Sequence, residues 1–379
     1  RPSGKLKIIC GEKKFMFENL YQGQRVLVTG HTGFKGSWLC AWLLDLGATV
    51  AGYSVDVPTE PSHFESLNLA DRIEHFQGDV RDKNSLQQAI DTFRPNIVFH
   101  LAAQSLVRKS YEDPVRTFET NAMGTLNLLD CLRSQPSVIA AVLITSDKCY
   151  ENVEWLWGYR ENDRLGGKDP YSASKACAEL VSKVYMQSFF GESGPHIATA
   201  RAGNVIGGGD WASDRVVPDC IRAWSEGKPV IIRSPDATRP WQHVLEPLSG
   251  YLALGQKLFK GNPAFKNQSF NFGPQAQVNQ SVGDLIAEMA QYWPGAECKP
   301  QLETDSKKPE STLLKLNCDK ALQLLHWNAI LDFPETIRMT GKWYQAFYNQ
   351  ESTSIPEFTS RQIKEYTEIA SRSNLAWTQ

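Results

Sequence analysis

From Arg25 to Arg201 the chain alternates short apolar runs, rich in β-branched residues, with longer stretches whose apolar positions recur at helical spacing. Arg25–Thr29 (RVLVT), Thr49–Ser54 (TVAGYS), Asn96–His100 (NIVFH) and Ala140–Thr145 (AAVLIT) read as buried strands. Ile73–Phe76 is a weaker one, and Ile197–Arg201 closes the series. Helical stretches lie between them: one beginning with Trp38, Leu39, Trp42 and Leu43, then Ser85–Phe93, Val115–Leu132 and Tyr171–Phe189. This alternation predicts an α/β fold with a doubly wound parallel sheet. Ligands of such a sheet bind beyond the carboxyl ends of its strands, and the polar clusters of this chain fall just after strands.

Past residue 201 the rhythm changes. Gly, Pro, Arg and Trp thicken in 203–211 and 233–241, and the elements shorten. The pattern predicts a smaller, mixed α/β C-terminal substrate lobe, contributed mainly by residues 204–348, with helices at Asp284–Trp293 and Pro334–Phe347. Residues 21–203 form the first unit. Residues 349–379 supply a linker (Glu351–Ser354) and one surface helix (Thr359–Ile369), with Ile363, Tyr366 and Ile369 on one side. Glu18–Gly23 (ENLYQG) resembles a protease-recognition tag lacking one residue, yet it runs straight into the first strand. Residues 1–20 are treated as an N-terminal extension outside the fold.

The stretch that organises the first unit is RVLVTGHTGFKG. Gly30, Gly33 and Gly36 follow the first strand at three-residue spacing and open the first helix. A tight strand-to-helix turn needs glycine's backbone freedom, and a pyrophosphate needs unobstructed N–H groups at a helix N-terminus. The arrangement is a variant of the Rossmann dinucleotide fingerprint. A carboxylate past the second strand, here Asp56, holds a ribose 2′-hydroxyl and repels a 2′-phosphate, which favours NAD over NADP. A loop aspartate beside Pro58 and Pro61 is the alternative.

Bulk properties narrow the partners. The chain has 379 residues, 41% hydrophobic and 22% charged, with a net charge of −2. No basic surface points to nucleic acid or an anionic membrane. Eight cysteines lie scattered without a C-x-x-C pair, which argues against a zinc site or a disulfide scaffold and for a reducing compartment, the cytoplasm. No apolar run reaches the roughly 18 residues of a membrane span.

Tyr171 and Lys175, four apart within YSASK, share one face of a helix. A lysine ammonium stabilises a phenolate, so Tyr171 is expected to be pulled down from about 10 and to take a proton from a sugar hydroxyl while the carbon beneath yields hydride. A surface Tyr/Lys pair is the bland alternative. The glycine turn, Asp79, Leu101-Ala102-Ala103, Asn121 with Gly124-Thr125, Tyr171 and Lys175 together resemble the extended short-chain dehydrogenase/reductase group over about residues 23–348. GHTGFKGSWL, TSDKCYEN, WGYREN, DPYSASK, RAGNVIGGGDW and RPWQHVLEPLSGY are most similar to its NAD-dependent sugar-nucleotide 4,6-dehydratases, in particular the branch acting on CDP-glucose.

The resemblance implies particular roles. Ser146 orients the 4-hydroxyl, Asp147 protonates the departing 6-hydroxyl, and Lys148 stands where many dehydratases place a glutamate base. A lysine base must be neutral and Asp147 must hold a proton, so the pair is expected to titrate together; an ordinary ion pair is the competing reading. Gly30, Thr32, Gly33, Phe34, Lys35, Gly36, Asp56, Asp79, Val80, Leu101, Ala102, Ala103, Asn121, Tyr171 and Lys175 would hold NAD. Asn204, Arg215, Arg239 and His243 would meet the nucleotide sugar, an arginine fork being suited to a diphosphate. The resemblance also implies a homodimer or homotetramer through a four-helix interface of 115–132 and 171–189. A dehydratase or epimerase for another nucleotide sugar, and a non-catalytic NAD-binding regulator, are the alternatives. Asp147-Lys148 speaks against the epimerase, and the intact Tyr171, Lys175 and Asp147 against the regulator.

Overall fold

The computed structural model describes residues 16–191, 194–232, 234–275, 277–300, 313–349 and 352–379. Seven parallel strands form the central sheet: β1 (Arg25–Thr29), β2 (Thr49–Ser54), β3 (Glu74–Gln77), β4 (Ile97–His100), β5 (Ala140–Ile144), β6 (His196–Arg201) and β7 (Gln268–Asn271). Their order is 7-6-5-4-1-2-3. β1 lies between β2 and β4, with Val26 opposite both Val50 and Ile97. The winding reverses there, and a crevice opens at the carboxyl ends. Strand alternation splits the core in two: Val26 and Val28 face one helical layer, Leu27 and Val98 the other.

On the first face lie α1 (Phe34–Asp45), then α6 (Leu245–Phe259) and α9 (Ile355–Arg372). On the other lie α2 (Lys83–Phe93), α3 (Gly124–Leu132) and α4 (Pro170–Ser188). Local chemistry starts these helices where the site needs them. Asp82 caps α2 by accepting from the N–H groups of Asn84 and Ser85. Asp169 caps α4 at Ser172 N–H, and Pro170 occupies its first position, so Tyr171 stands in the first turn. Beyond β6 the chain adds α5 (Val216–Ser225), α7 (Val282–Ala290), α8 (Phe333–Tyr348) and short paired segments.

The expected helical stretch 115–132 is present and uninterrupted, Pro114–Phe118 running through one π-helical turn at Glu119–Met123 into α3. Other expectations are corrected. Of the N-terminal extension, residues 1–15 lie outside the described residues, but Phe17 is fully buried and stacks on Trp377 with ring centroids 5.2 Å apart. Tyr21 donates to the Leu252 carbonyl at 2.6 Å, so this segment belongs to the core. The C-terminal helix is longer than 359–369 and is no surface appendage: Ser354 and Glu357 cap it, and Tyr366 is fully buried against Trp42. Of the linker residues, Glu351 lies outside the described residues. After the short elements beyond residue 203, α6 packs on β5 and β6, and β7 extends the sheet beside β6. No helix among the described residues is long and apolar enough to cross a membrane.

Candidate functional site

The crevice at the β1/β4 switch begins with the glycine turn. Gly30 has φ +74°, and a Cβ there would lie 2.6 Å from the Ala102 backbone nitrogen. The turn therefore rests directly on the segment that follows β4. A Cβ on Gly36 would lie 2.2 Å from the Gly30 carbonyl oxygen, which fixes how tightly α1 leaves the strand. Gly33 differs: its nearest prospective contact is the Gly30 oxygen at 3.4 Å. It caps α1 without a side-chain hydrogen bond, leaving the first-turn N–H groups available to an anion. Thr32 ties the turn to the end of β2 by donating to the Asp56 carbonyl at 2.6 Å, and the Asp56 side chain lies in an exposed position there.

The chain leaving β5 makes the second wall. Ser146 Oγ accepts from Lys148 N–H at 3.2 Å and donates to Asp147 Oδ1 at 2.9 Å. The Asp147 side chain points inward, only 3% exposed, and Asn204 Nδ2 reaches its Oδ2 at 3.4 Å. Asn204 itself takes a left-handed backbone, φ +53°, after β6. The expected competitor, an Asp147–Lys148 ion pair, is not formed among the described residues, and Lys148 is half-buried.

α4 brings Tyr171 and Lys175 to the same place. The Tyr171 phenol faces Ser146, with Asp147 and Arg215 within electrostatic reach. Burial pushes this phenol up to about 12, against the hydrogen bond to Ser146. The sequence expectation is a phenol lowered by Lys175 together with a positive nicotinamide ring; in the protein alone desolvation dominates, and the carboxylate felt by Lys175 is that of Glu179. Lys175 is buried and lowered to about 8, again chiefly by desolvation. Lys35, half-buried on the first turn of α1, is lowered to about 8 by burial and then by Arg215, with Asp147 opposing. Arg215 links two further segments, holding Asp210 Oδ2 at 2.9 Å and Ser105 Oγ at 3.2 Å.

Residues 27–340 match the family model described as GDP-mannose 4,6 dehydratase. The chain belongs to the GDP-mannose 4,6-dehydratase family. A CDP-glucose 4,6-dehydratase of Salmonella typhimurium is 46% identical over 360 residues, covering 94% of this chain and 99% of that protein. The UDP-glucose 4-epimerase of Thermus thermophilus, solved with NAD, superposes with a TM-score of 0.71 at 27% identity, over 85% of this chain and 99% of that one. A dTDP-glucose 4,6-dehydratase of Bacillus anthracis shares the fold at a TM-score of 0.70 and 19% identity, over 85% of this chain and 97% of that one.

In this member of the dehydratase family the singled-out residues divide into those gathered at the crevice and those held elsewhere. Lys35, Ser146, Asp147, Tyr171, Lys175, Asn204 and Arg215 converge. Asn121 bonds to the backbone of Gln104 and to Ser174 Oγ, so it clamps the loop after β4 to the turn between Tyr171 and Lys175. Asp79 receives three hydrogen bonds from Arg81. Arg239 stands on a short strand paired with Gln280 and donates to the Thr238 carbonyl at 2.8 Å. His243 does not reach the crevice surface. It is 0% exposed beside Trp38, and burial, then Arg338, lowers it to about 3.

Sequence reasoning missed the support behind the site. Glu179, one turn beyond Lys175, pairs with Arg201 at 2.7 Å with both side chains buried, and it accepts from Thr145 and Thr199. Arg201 also donates to Tyr150 Oη at 2.7 Å. A carboxylate at i+4 on the buried face of α4 was the available signal.

Proposed function

We propose that the chain is a CDP-glucose 4,6-dehydratase, a hydro-lyase that converts CDP-glucose to CDP-4-keto-6-deoxyglucose and water. The observation that carries this reading is Asp147, a buried carboxylate with no ion pair among the described residues, held by Ser146 and Asn204 within electrostatic reach of the Tyr171 phenol. Epimerisation at C4 requires one acid/base group; loss of the 6-hydroxyl requires another, and the burial of Asp147 beside Ser146 supports assigning it that part. The nucleotide and sugar are those for which the 46%-identical relative is named.

The open helix N-terminus at Gly33 and the tight contact of Gly30 with Ala102 fit a dinucleotide. We assign NAD to Gly30, Thr32, Gly33, Phe34, Lys35 and Gly36, with Asp56 at the ribose and Asp79, Val80, Leu101, Ala102 and Ala103 lining the crevice. Asn121 supports that lining through Gln104 and Ser174. Bound there, NAD would supply reversible hydride acceptance, the chemistry that oxidation at C4 and reduction at C6 require.

The residues do the rest by proton handling. Tyr171 removes the proton of the 4-hydroxyl, and Lys175 stabilises the phenolate that does so. Ser146 holds the C4 oxygen. The C4 ketone acidifies C5–H, because the carbanion is an enolate, and Lys148 takes that proton. Asp147 protonates the C6 oxygen, which leaves as water, and Lys148, whose ammonium protons exchange with solvent, delivers a proton to C5. Asn204 and Arg239 are assigned to the nucleotide sugar. Arg215, coupled to Tyr171 and Lys35, serves the end nearer the reacting sugar.

The free, mostly buried cysteines support a reducing cytoplasm, and apolar residues exposed on α4 and on the stretch 114–132 support a homo-oligomer. The test is incubation with CDP-, dTDP-, GDP- and UDP-glucose followed by mass spectrometry. Loss of one water from CDP-glucose, well ahead of the other three, is expected. Products that keep the substrate mass would overturn the reading.

A further inference from the structure

Asp147 stands in a niche built by one neighbouring turn. A Cβ on Gly203 would lie 2.0 Å from Asp147 Oδ2, so the carboxylate lies against a bare Cα. The next residue, Asn204, offers its Nδ2 to the same oxygen at 3.4 Å. Where Gly203 and Asn204 sit therefore decides where the acid can stand.

Gln242 fixes both. Its backbone N–H donates to the Asn204 carbonyl at 3.1 Å, and its side-chain Nε2 donates to the Gly203 carbonyl at 2.9 Å. The second Nε2 hydrogen goes to the Phe272 carbonyl at 3.1 Å, just past the end of β7. The amide thus straps the ends of two neighbouring strands, β6 and β7, together. Its orientation is unambiguous, since two carbonyls can be met only by the NH₂ group. The same orientation leaves Oε1 enclosed with no partner, in a side chain 2% exposed. A buried acceptor without a donor is unfavourable. Packing alone would be better served by an apolar side chain of this length, so the two donors account for glutamine here.

We infer that Gln242 is a positioning residue for the elimination step: by holding the Gly203–Asn204 turn it sets the place of Asp147 against the 6-hydroxyl. The inference rests on the dehydratase reading above. It touches neither Tyr171 nor Lys175, so it separates the two halves of the reaction. Oxidation at C4 should survive a loosened turn, while departure of the 6-hydroxyl should not.

The experiment compares wild type with Gln242→Met, which keeps the length and removes both donors. Gln242→Glu keeps the shape and also cannot donate to two carbonyls. A misplaced acid loses about 10²-fold in kcat, a larger change than in KM for CDP-glucose, which moves only as far as the same turn shifts Asn204. Because oxidation outruns elimination in these variants, absorbance at 340 nm from reduced cofactor accumulates during turnover, as it does not in wild type. A merely structural defect would lower both halves together without that band. If neither variant folds by circular dichroism, Gln242→Asn carries the same expectation, since it keeps a polar amide but is too short to reach the Gly203 and Phe272 carbonyls together. Wild-type kcat in Gln242→Met, or reduced kcat without the 340-nm band, overturns the inference alone. A wild-type protein that releases no water overturns the dehydratase reading and the inference with it.

Discussion

Gly203 has no side chain, and the carboxylate of Asp147 occupies the space one would need. The Gly203→Ala variant should therefore displace the acid rather than the fold. Water release should fall by at least about 10²-fold, while overpacking should lower stability by only about 1–3 kcal/mol. Assay and thermal melting of one preparation check both, and an alanine variant with full turnover would refute the placement. At this scale the sequence singles out groups that the structure gathers at the crevice but not what holds them. Tyr171, Lys175 and Asp147 are legible because their spacing and their positions after strands have chemical meaning. Glu179, Arg201 and Gln242 are not, because their partners lie 22, 22 and 39 residues away, and only folding brings them together. His243 shows the converse error: a histidine among site motifs is packed under Trp38.

The elements divide the same way. β1 and β2 are legible to the residue, since a short β-branched run before a glycine turn has few other conformations. α6 is not, because it is buried almost all round and so lacks an amphipathic stripe. β7 is missed because QSFN is polar for a strand, its place being set by pairing to β6 at the sheet edge. α6 also carries a titratable link. Glu246 accepts from the N–H groups of Ile330 and Leu331 at 2.8 and 2.7 Å and from Tyr366 Oη of α9 at 2.8 Å. Burial raises its carboxyl from 4.5 to about 7. The folded state therefore keeps this proton over a range where the unfolded chain has lost it. The corresponding stability is fully present below about 4.5 and is lost as pH rises through about 7, roughly 3 kcal/mol in all. Glu246→Gln preserves the acceptor for both backbone groups and cannot ionise. Its melting temperature relative to wild type should rise between pH 5 and 8. Parallel curves for the two proteins across that window would contradict the assignment.

At the scale of the molecule, the winding of the sheet gathers segments distant in sequence at one crevice, and the outer face of α4 carries exposed apolar residues beside Lys183 and Gln187. Leu180 and Val184 are 51% and 55% exposed, with Val115, Met123 and Phe189 exposed nearby in the chain's helical segments. Burying such a face against a second copy favours association. On the proposed pairing through this face, wild type should have the mass of more than one chain by light scattering and Leu180→Asp with Val184→Asp that of a monomer, without loss of secondary structure; equal masses would exclude this face. The central claim is that a transient ketone at C4 lets C6 lose its oxygen while C5 exchanges its proton. Turnover of CDP-glucose in deuterium oxide tests it directly. The account predicts a product lighter by one water and carrying one solvent deuterium at C5. A product that retains its 6-oxygen, or one that loses water with no deuterium at C5, would contradict it.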